Sequence, residues 1–554
     1  MEWGNEAFEK AQKQDKPILL DLTAVWCHWC HVMDSTTYSE EEIAKIINCD
    51  FVPIKVYIDK RPDIKERYNM GGFPSTVFLN PKGYIIAGET YVLPEKFMLM
   101  LESVRDSYKK RKNEIENNVK EVAKKLGHFS KKNTNSEINE NIVKEILISV
   151  GDNFDSFYGG FGTQPKFPSP EVIDLLFLQY KKTKTKKYLD MATKTLDGMY
   201  EGIFDKIDFG FFRYSVTQDW KLPHYEKMLD TNAGLLRNYA VAFNITKNEK
   251  FKKIAIETVW YIVKFLSDQH NGGFYGSQDA DEEFYHKNAE ERKRLPQPYV
   301  DKTIYADWNS MMISSFLKAG AILNDENAIK FALRTVDFIL QNCYDKENGV
   351  FHYFDRKSNI NGLLCDNVHF LNCLIDAYFA TQNQEYLEKI SEIVGFILNN
   401  FYDKKNYGFF DRILKKDDLG TLKHQDKQFL ENSFCAVVFL RLYFITKNEK
   451  YKNAAENTIL YFSDIYLNFS YFASICAVAV DTLLNGEIKV DILGKREMIN
   501  ACIAANNPSI VVNFYEKNDK KNPGYSVAGA YVCKGTMCKG PITDIEKLNE
   551  ELAS

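Results

Sequence analysis

At 554 residues the chain has room for several domains, and its hydrophobic content of 45% is ordinary for a globular core. Its net charge of -5 arises from interspersed charges of both signs, which excludes the basic footprint of a nucleic-acid-binding protein. The N-terminus is polar, no uninterrupted apolar run approaches a membrane span, and the eleven cysteines are scattered. We therefore expect a cytoplasmic protein with no nucleic-acid or membrane partner.

The first predicted elements surround a C-H-W-C-H motif at residues 27–31. An apolar run at 17–26 predicts a buried strand before the motif, and 32–47 is predicted to be mostly helical after it. This placement puts the first thiol at a helix N-terminus, where the helix dipole and free N–H groups stabilise a thiolate. The pattern therefore predicts a redox-active dithiol, with Cys27 as the nucleophile and Cys30 as the resolving thiol.

Three other interpretations of this motif remain. The simplest is a pair of buried cysteines that do not react. C-x-x-C-H is also the c-type haem attachment pattern, but haem attachment belongs to exported proteins and the sequence shows no export signal. Zinc bound by Cys27, His28, Cys30 and His31 would need four ligands from one helical turn to converge on a tetrahedral ion. We therefore expect no metal and no other cofactor.

The elements that follow complete a small sheet. A second strand is predicted at 51–58, and a Gly-Gly turn at 71–72 leads through Pro74 into a third strand ending at residue 79. A proline directly before an apolar strand predicts a cis peptide bond in a tight turn. Asp21, on the first strand, is expected to be a buried carboxylate that accepts the proton of the resolving thiol, or else to add solubility at the strand end.

These features resemble the thioredoxin fold over about the first 110 residues, with Pro74 as its cis-proline facing the dithiol. The sequence departs from thioredoxin between the two cysteines, where His28 and Trp29 replace the expected Gly-Pro. A histidine at this position favours the thiolate, so we expect a couple more oxidising than thioredoxin.

From residue 136 onward, amphipathic helical segments alternate with Gly-aromatic turns at intervals of roughly 50 to 75 residues. The hexapeptide at 245–250 recurs unchanged at 445–450. Helices are predicted at 136–154, in five pairs near 170–202, 225–268, 308–344, 366–402 and 430–465, and near 470–485. Twelve helices, with the more apolar helix of each pair inside, predict a closed (α/α)6 toroid. The alternative is an open α-solenoid, which would need polar caps at both ends.

The loops from each outer helix to the next inner helix are expected to gather at one end of the toroid, here named the mouth. Sugar chemistry uses acid/base pairs together with aromatic stacking platforms, so polar residues of these loops predict a sugar or glycan site. His224 and Glu226 are the acid/base candidates, with Asp279 and Asp307 as further catalytic candidates beside them. The predicted substrate contacts are Arg213, Trp220, Asp230, Asn232, Asp281, Asp366 and His369.

A structural interpretation competes with this one for several of these residues. Asp307 and Asp366 each stand near the start of a predicted helix, where a carboxylate often serves as an N-cap. His224 and Glu226 are harder to explain in this way, because Pro223 begins a turn and both side chains then face the mouth.

The combination of motifs resembles the spermatogenesis-associated thioredoxin-domain family (YyaL-like proteins). The matching segments are 27–33, 61–63, 71–74, 160–162, 165–167, 213–216, 223–228, 279–281 and 307–309. The resemblance implies a thioredoxin-like domain fused to a toroid similar to six-hairpin glycosidases and to the N-acylglucosamine 2-epimerase type. It implies the architecture more firmly than any reaction. The chain departs from the family in its short lead before Trp3 and its short loop around 279–281.

The remaining residues are predicted to form a small α/β segment, with strands at 487–493 and 509–514 around a helix near 496–505. Cys533 and Cys538 follow in this segment. The resemblance implies a second thiol pair, whereas their spacing is not a standard redox spacing and favours two unpaired core cysteines.

The expected architecture is therefore multidomain α/β plus all-α: a thioredoxin-like domain at 1–120, an (α/α)6 toroid at 130–485 and a small C-terminal α/β segment at 486–554. The expected function is a thiol–disulfide redox domain, acting on a thiol/disulfide partner protein, coupled to a carbohydrate-active or carbohydrate-binding toroid. The alternatives are a non-catalytic binding module regulated by its dithiol, or a scaffold.

Overall fold

The computed structural model describes residues 1–125 and 137–553. The predicted start of the toroid at residue 130 and the C-terminal Ser554 lie outside the described residues.

The N-terminal part is a thioredoxin-like α/β domain. Its elements are α1 (Asn5–Gln14), β1 (Ile18–Thr23), α2 (His28–Ser35), α3 (Glu41–Asp50), β2 (Val52–Tyr57), α4 (Pro62–Tyr68), β3 (Ser75–Leu79), β4 (Ile85–Glu89), α5 (Pro94–Lys110) and α6 (Lys112–Lys125). The sheet order is β2-β1-β3-β4, with β1 parallel to β2 and antiparallel to β3. Every residue of β1 is buried, as its continuous apolar run predicted. The helical prediction at 32–47 corresponds to two helices, α2 and α3.

Within the described residues, the toroid contains the twelve long helices that the sequence predicted. They are α7 (Glu140–Asp152), α8 (Pro170–Thr183), α9 (Lys186–Ile203), α10 (Leu229–Thr246), α11 (Glu249–Phe265), α14 (Ala306–Leu323), α15 (Glu326–Asn342), α16 (Leu364–Thr381), α17 (Gln384–Asn400), α18 (Phe429–Thr446), α19 (Glu449–Phe462) and α20 (Ser474–Asn485). The inner ring consists of α8, α10, α14, α16, α18 and α20. Because α20 packs against both α7 and α8, the ring is closed and the open-solenoid alternative is wrong.

Short elements fill the loops of the toroid. They are β5 (Tyr214–Ser215), β6 (Pro223–His224), β7 (Lys227–Met228), β8 (Ser277–Gln278), α12 (Glu282–Tyr285), α13 (Ala289–Arg292), β9 (Val300–Asp301), β10 (Ile304–Tyr305), β11 (Tyr344–Asp345), β12 (Gly349–Asp355), β13 (Lys357–Asn361) and two 3₁₀ helices, Gly420–Lys423 and Tyr466–Ala473.

One asparagine in each of four inner helices fixes a Gly-aromatic turn. The side-chain oxygens of Asn232, Asn309, Asn367 and Asn432 accept the backbone N–H of Phe211, Phe274, Val350 and Phe409 at 2.8, 2.7, 3.0 and 2.6 Å. Each of the four amides is buried. This repeated bond joins each loop of the mouth to the start of the next inner helix. Breaking it would leave a buried N–H without a partner, which is unfavourable, so the loop is held in place.

Two helices of the described chain have the length and mean hydropathy of a membrane span, although polar residues interrupt the apolar run of each. Phe429–Thr446 and Tyr466–Asn485 have mean hydropathies of 1.4 and 1.5. The first is the inner helix α18. The second consists of the 3₁₀ helix Tyr466–Ala473 and the inner helix α20. In the most apolar 18 residues of each, 61% and 44% are buried. Packing inside the ring accounts for their apolar composition.

The C-terminal segment closes the toroid at the end opposite the mouth. Its elements are β14 (Ile488–Leu493), α21 (Met498–Ala504), β15 (Ile510–Tyr515), β16 (Gly529–Lys534), β17 (Met537–Ile542) and α22 (Ile545–Ala553). α21 packs on the inner helices α14 and α16. Near the ends of inner helices, Lys181 Nζ and Asn244 Nδ2 donate to the carbonyl oxygens of Ala505 and Ala504 at 2.5 and 3.0 Å.

The thioredoxin-like domain covers the mouth. Met228, Trp308 and Leu422 of the toroid pack into the apolar core of that domain. An ion pair joins Arg67 to Asp411 of the fifth toroid loop at 2.8 Å. The loops that the sequence analysis assigned to a ligand are therefore in part an interface between two domains.

Candidate functional site

The dithiol lies at the start of α2, where the sequence placed it. Cys27 is the N-cap of that helix and forms a disulfide with Cys30, with their Cα atoms 5.2 Å apart. The backbone N–H of Cys30 donates to the sulfur of Cys27 at 3.2 Å. This N–H also donates to the backbone oxygen of Cys27 at 3.0 Å, and it belongs to the first turn of the helix, whose N–H groups stabilise negative charge on the sulfur. Both cysteines are buried, with 3% and 2% of their surfaces exposed.

A toroid loop rests on the residue before the dithiol. The guanidinium carbon of Arg213 lies 4.2 Å from the ring centre of Trp26, and the Trp26 indole N–H donates to Asp59 Oδ2 at 2.6 Å. Burial raises the pKa of Asp59 to about 7, although the Trp26 bond acts in the opposite direction. Arg213 is therefore a contact between domains in this structure.

A second contact joins the dithiol helix to the mouth. His31 Nε2 lies 3.6 Å from Asp279 Oδ2 and 2.8 Å from the carbonyl oxygen of Val25. The bond to Asp279 raises the pKa of His31 above its usual value, and burial opposes this rise. Asp279, predicted to be catalytic in the toroid, thus pairs with the thioredoxin-like domain.

The three residues predicted to support the dithiol lie in the same domain. Burial raises the pKa of Asp21 to about 6, and Lys55, whose Nζ lies 3.4 Å away, opposes the rise. The Phe73–Pro74 peptide bond is cis, which confirms that prediction, and the Phe73 ring contacts the Trp26 ring edge-on at 6.4 Å. His28 is half-buried in the first turn of α2, and its effect on the redox couple stays a prediction.

His224 and Glu226 form the pair that the sequence suggested. His224 Nδ1 lies 3.0 Å from Glu226 Oε1, and only 1% of the surface of Glu226 is exposed. The Tyr214 ring stacks on the imidazole with a centroid distance of 4.6 Å. The pair is suited to proton exchange, but its position is beside the interface with the thioredoxin-like domain rather than on the central cavity described below.

Asp307 and Asp366 are brought together deep in the mouth. Each offers an oxygen that, with the Cys365 sulfur, lies within 4.8 Å of the other two, so these three residues are a potential metal-ligand set. His352 Nδ1 lies 2.8 Å from Asp366 Oδ1, and His352 Nε2 lies 2.7 Å from the backbone oxygen of Asp59. His352 holds Oδ1 of Asp366, whereas Oδ2 is buried without a hydrogen-bond partner among the described residues and is the oxygen left for a cation or a water.

The pKa values in this cluster follow from burial and charge. Burial raises the pKa of Asp307 to about 6, although His352 opposes the rise. Burial alone would lower the pKa of His352, but the charge and hydrogen bond of Asp366, the charge of Asp307 and the bond to the Asp59 backbone together outweigh burial and bring the value to about 10. The sequence did not predict a role for His352. The one signal for it is weak: His352 is a buried position of β12 between two half-buried neighbours, as the alternation of a strand would give.

Asp307 and Asp366 are not helix N-caps, so the capping alternative for these two residues is wrong. The N-cap positions of α14 and α16 are Tyr305 and Leu363, neither with a side-chain capping bond. Asp281, in contrast, is the N-cap of α12 and accepts the backbone N–H of Phe284 at 2.8 Å.

Two predicted substrate contacts have structural roles instead. Trp220 has 0% of its surface exposed, and its indole N–H donates to the Gly159 carbonyl at 3.2 Å. A ring buried in this way offers no stacking face to a ligand, so that prediction is wrong. The Asn232 amide is occupied by the turn at Phe211. Its Oδ1 accepts the backbone N–H of Phe211 at 2.8 Å, and its Nδ2 donates to the backbone oxygen of Phe211 at 3.0 Å.

The inner ring encloses a cavity of about 550 Å³, here named the lumen. Of the predicted site residues, Asp230 and His369 line it. His369 Nε2 lies 3.7 Å from Glu431 Oε1, and the imidazole stacks on Phe434 at a centroid distance of 4.4 Å. Burial lowers the pKa of His369, but the bond to Glu431 and nearby carboxylates raise it above its usual value. Glu171 also lines the lumen.

Further along the lumen lies a layer of charged side chains. Arg237 and Arg441 pair with Asp174 and Asp376, both at 2.6 Å. Burial lowers the pKa of Lys318, the fifth member of this layer, to about 8.

Three buried polar atoms on the lumen wall have no hydrogen-bond partner among the described residues. They are Ser314 Oγ, Glu431 Oε2 and Arg441 Nε. Buried polar atoms are normally satisfied, so these three mark places where a polar ligand or water can bind. Sequence reasoning singled out the mouth because its loops carry many polar residues, whereas the lumen residues recur along inner helices and resemble core positions.

Comparisons with known proteins agree with this architecture. The family described as "Protein of unknown function, DUF255" (Thioredox_DsbH) matches residues 1–127. Uncharacterized protein B0495.5 of Caenorhabditis elegans is 24% identical over 690 residues, covering 99% of this chain and 94% of that protein. Spermatogenesis-associated protein 20 of Homo sapiens is 26% identical over 540 residues, covering 74% of this chain and 68% of that protein.

Among solved structures, the toroid is similar to a D-mannose isomerase. The two superpose with a TM-score of 0.51 at 12% sequence identity, over 62% of this chain and 96% of that one. A likeness at this identity supports the toroid fold and does not assign a reaction.

Proposed function

We propose, taking this chain as a member of the spermatogenesis-associated thioredoxin-domain family, that it is a cytoplasmic thiol–disulfide oxidoreductase whose dithiol works at the mouth of a carbohydrate-binding toroid. The observation that carries the redox part is the Cys27–Cys30 disulfide at the N-terminus of α2 in a thioredoxin-like sheet. The toroid contacts at Trp26 and His31 tie this centre to the mouth.

The redox chemistry follows from the geometry of α2. In the reduced protein, the thiolate of Cys27 attacks a disulfide of a partner protein, and one partner sulfur leaves as a thiolate. Cys30 then attacks the mixed disulfide, so that Cys27–Cys30 forms and the partner leaves as a dithiol. The carboxylate of Asp21 is the proposed acceptor of the Cys30 proton, because it is a buried base in the same domain core.

The partner must reach sulfurs that lie below the surface. Trp29, between the two cysteines, is 43% exposed and marks the accessible side of the motif. The other side is covered by Arg213 and Asp279 of the toroid. We therefore propose a protein partner that docks on Trp29, with the toroid loops limiting the approach.

The redox proposal is tested with the reduced full-length chain and a small aromatic disulfide. The exposed Cys49 and the Cys533/Cys538 pair are first replaced by serine, so that the accessible thiols outside the dithiol do not contribute to the signal. In this background, Cys27→Ser is expected to abolish release of the aromatic thiol, whereas Cys30→Ser is expected to stop at a stable mixed disulfide. The background chain without a further change is the matched control and is expected to keep the full activity of the Cys27–Cys30 pair. Equal residual activity in all three variants would contradict the proposal.

The lumen favours sugar binding as the toroid's function. Its volume of about 550 Å³ suits a small-molecule site, and its wall combines carboxylates, an imidazole and aromatic rings. Transfer of a proton between neighbouring carbons of a sugar needs one group to take the proton and one to return it. We propose that His369 and Glu431 do this, facing Asp230, because His224 and Glu226 do not line the lumen.

Binding of monosaccharides and short glycans, followed by thermal shift, tests this part. A sugar that stabilises the chain is expected to lose its effect in Glu431→Gln and His369→Ala and to keep it in His224→Ala. A sugar whose effect depends on His224 but not on Glu431 would place the site in the mouth instead. The absence of any stabilising sugar would contradict sugar binding while leaving the redox proposal intact.

A further inference from the structure

The C-terminal segment repeats the sheet of the thioredoxin-like domain. Its strand order is β15-β14-β16-β17, which corresponds to β2-β1-β3-β4 of the N-terminal sheet. The strand directions agree as well: β14 is parallel to β15 and antiparallel to β16, and β16 is antiparallel to β17. In the N-terminal domain the dithiol lies between β1 and α2. The equivalent turn of the C-terminal segment, between β14 and α21 at residues 494–497, contains no cysteine.

The cysteines of this second sheet lie on its last hairpin instead. Cys533 on β16 pairs directly with Cys538 on β17, and the two are joined by a disulfide. The interpretation of these residues as unpaired core cysteines is therefore wrong. The spacing of five residues is explained by the two-residue turn at 535–536, which sets both side chains opposite each other across the hairpin.

This disulfide is more accessible than the one at the mouth. Cys538 is exposed and Cys533 is half-buried, whereas Cys27 and Cys30 are both buried. Every residue from 535 to 540 is exposed, including Met537 at 75%. An external thiolate therefore has a free path to the sulfur of Cys538.

The charge around the hairpin favours an anionic thiol. Lys534 and Lys539 flank the cysteine pair on either side of the turn, and the segment 533–540 contains no acidic residue. Glu551 of α22 lies beside both lysines, with its carboxylate oxygens 2.9 Å from Lys539 Nζ and 4.0 Å from Lys534 Nζ, so two positive charges face one negative charge here. Positive charge near a sulfur stabilises its thiolate as a leaving group and attracts an anionic attacker. Glutathione, a thiol with a net negative charge, fits this environment.

We propose that Cys533–Cys538 is a second thiol–disulfide exchange site, reduced by glutathione-type thiols at the end of the molecule opposite the first. The thiolate attacks the sulfur of Cys538, the Cys533–Cys538 bond breaks, and Cys533 leaves as a thiolate that takes up a proton. A second thiol then attacks the mixed disulfide. Cys538 is released as a thiol. Two glutathione thiols are thereby oxidised to one glutathione disulfide, and the Cys533–Cys538 disulfide is reduced to two thiols.

The two redox centres act independently within one chain. The first contacts the mouth through Trp26 and His31, and the second belongs to the sheet that meets the opposite ends of the inner helices at Ala504 and Ala505. The toroid stands between them, so direct exchange between the two disulfides of one molecule is excluded. The inference therefore does not depend on the function proposed for the mouth.

The test places the native, oxidised full-length chain in buffers of increasing reduced-to-oxidised glutathione ratio. Thiols are then trapped with a maleimide in acid, and mass spectrometry of peptides reports each pair separately. The Cys533/Cys538 pair is expected to open reversibly across this series, with the same midpoint in wild type and in Cys27→Ser/Cys30→Ser. A pair that stays closed in the native chain at every ratio, and opens only after denaturation, would overturn the proposal.

A second measurement tests which sulfur is attacked. In Cys533→Ser the remaining Cys538 is expected to take up glutathione from glutathione disulfide about tenfold faster than Cys533 does in Cys538→Ser, because it is the more exposed thiol. Equal rates, or a faster Cys533, would contradict the proposed order of attack. Cys502→Ser, which changes a buried cysteine, is the control for changes in folding and is expected to leave the hairpin midpoint unchanged.

Discussion

The guanidinium carbon of Arg213 lies 4.2 Å from the ring centre of Trp26, so a loop of the toroid rests on the residue that precedes the dithiol. A cation over an aromatic ring contributes about 1 kcal/mol at such a site. The contact thus joins the two domains at the point where the proposed redox chemistry takes place.

Removal of this contact is expected to open the dithiol. In reduced Arg213→Ala, alkylation of Cys27 at neutral pH should be about fivefold faster than in wild type, the factor that corresponds to about 1 kcal/mol. Lys221→Ala, on the same loop but exposed to solvent, is the control and should not change the rate. An unchanged rate in Arg213→Ala would show that the loop does not limit access to the sulfur.

The buried carboxyl of Asp21 should make the stability of the chain depend on pH. Its pKa is raised from 3.8 to about 6, so the folded state binds this proton more tightly than the unfolded state does. The favourable contribution is complete below pH 3.8 and is lost as the pH rises through about 6.

Replacement of the Asp21 carboxyl by an uncharged amide removes this loss of stability at high pH, because the amide does not ionise. Asp21→Asn should therefore increase the free energy of unfolding at pH 8 by up to about 3 kcal/mol and have little effect at pH 3.5 or so. Urea unfolding at the two pH values measures the difference. Glu9→Gln, at an exposed position of α1, is expected to have no such pH-dependent effect. A stabilisation that is equal at both pH values would argue against a raised pKa of Asp21.

His352 is also expected to contribute stability that is lost as the pH rises, but over a higher pH range than Asp21. Its pKa rises from 6.5 to about 10, so its contribution is complete below pH 6.5 and is lost as the pH rises through about 10. His352→Gln should cost about 3 kcal/mol at neutral pH, because it leaves the buried carboxylate of Asp366 without its cation.

The difference between wild type and His352→Gln should shrink as the pH approaches 10.5 or so. Denaturant unfolding at pH 7 and at the higher pH checks this expectation. His270→Gln, at an exposed histidine, provides the comparison and should be nearly neutral at both. A cost that does not change with pH would indicate a packing role for His352 rather than a charged one.

The repeated asparagines should each be important for stability. Asn309→Ala removes the acceptor of the Phe274 N–H and a donor to the Phe274 carbonyl, both buried, so the expected cost is about 2 to 3 kcal/mol. Asn432→Ala is expected to cost a similar amount, because it makes the equivalent bonds to Phe409. Thermal unfolding measures both. Asn271→Ala, in an exposed turn, should fall within about 0.5 kcal/mol of wild type.

The sequence by itself determined the features that depend on near neighbours in the chain. Hydrophobic periodicity gave the twelve toroid helices, the dithiol at the start of α2 followed from a strand, a C-x-x-C and a helix, and Pro74 before a strand gave the cis bond. Each of these is local, because helix starts, turns and buried strands depend on a few consecutive residues.

The tertiary structure alone decided which polar residues meet. The partners His31 and Asp279 are separated by hundreds of residues, and nothing local distinguishes an interface carboxylate from a catalytic one. For the same reason Trp220 has the sequence character of a stacking platform but is buried. Asp230 and His369 were expected at the mouth, and only the closed ring shows that they line the lumen together with Glu431, since closure sets which side chains share one enclosed space. The Cys533–Cys538 bond is likewise decided by the pairing of β16 with β17, because the spacing of five residues does not by itself require it.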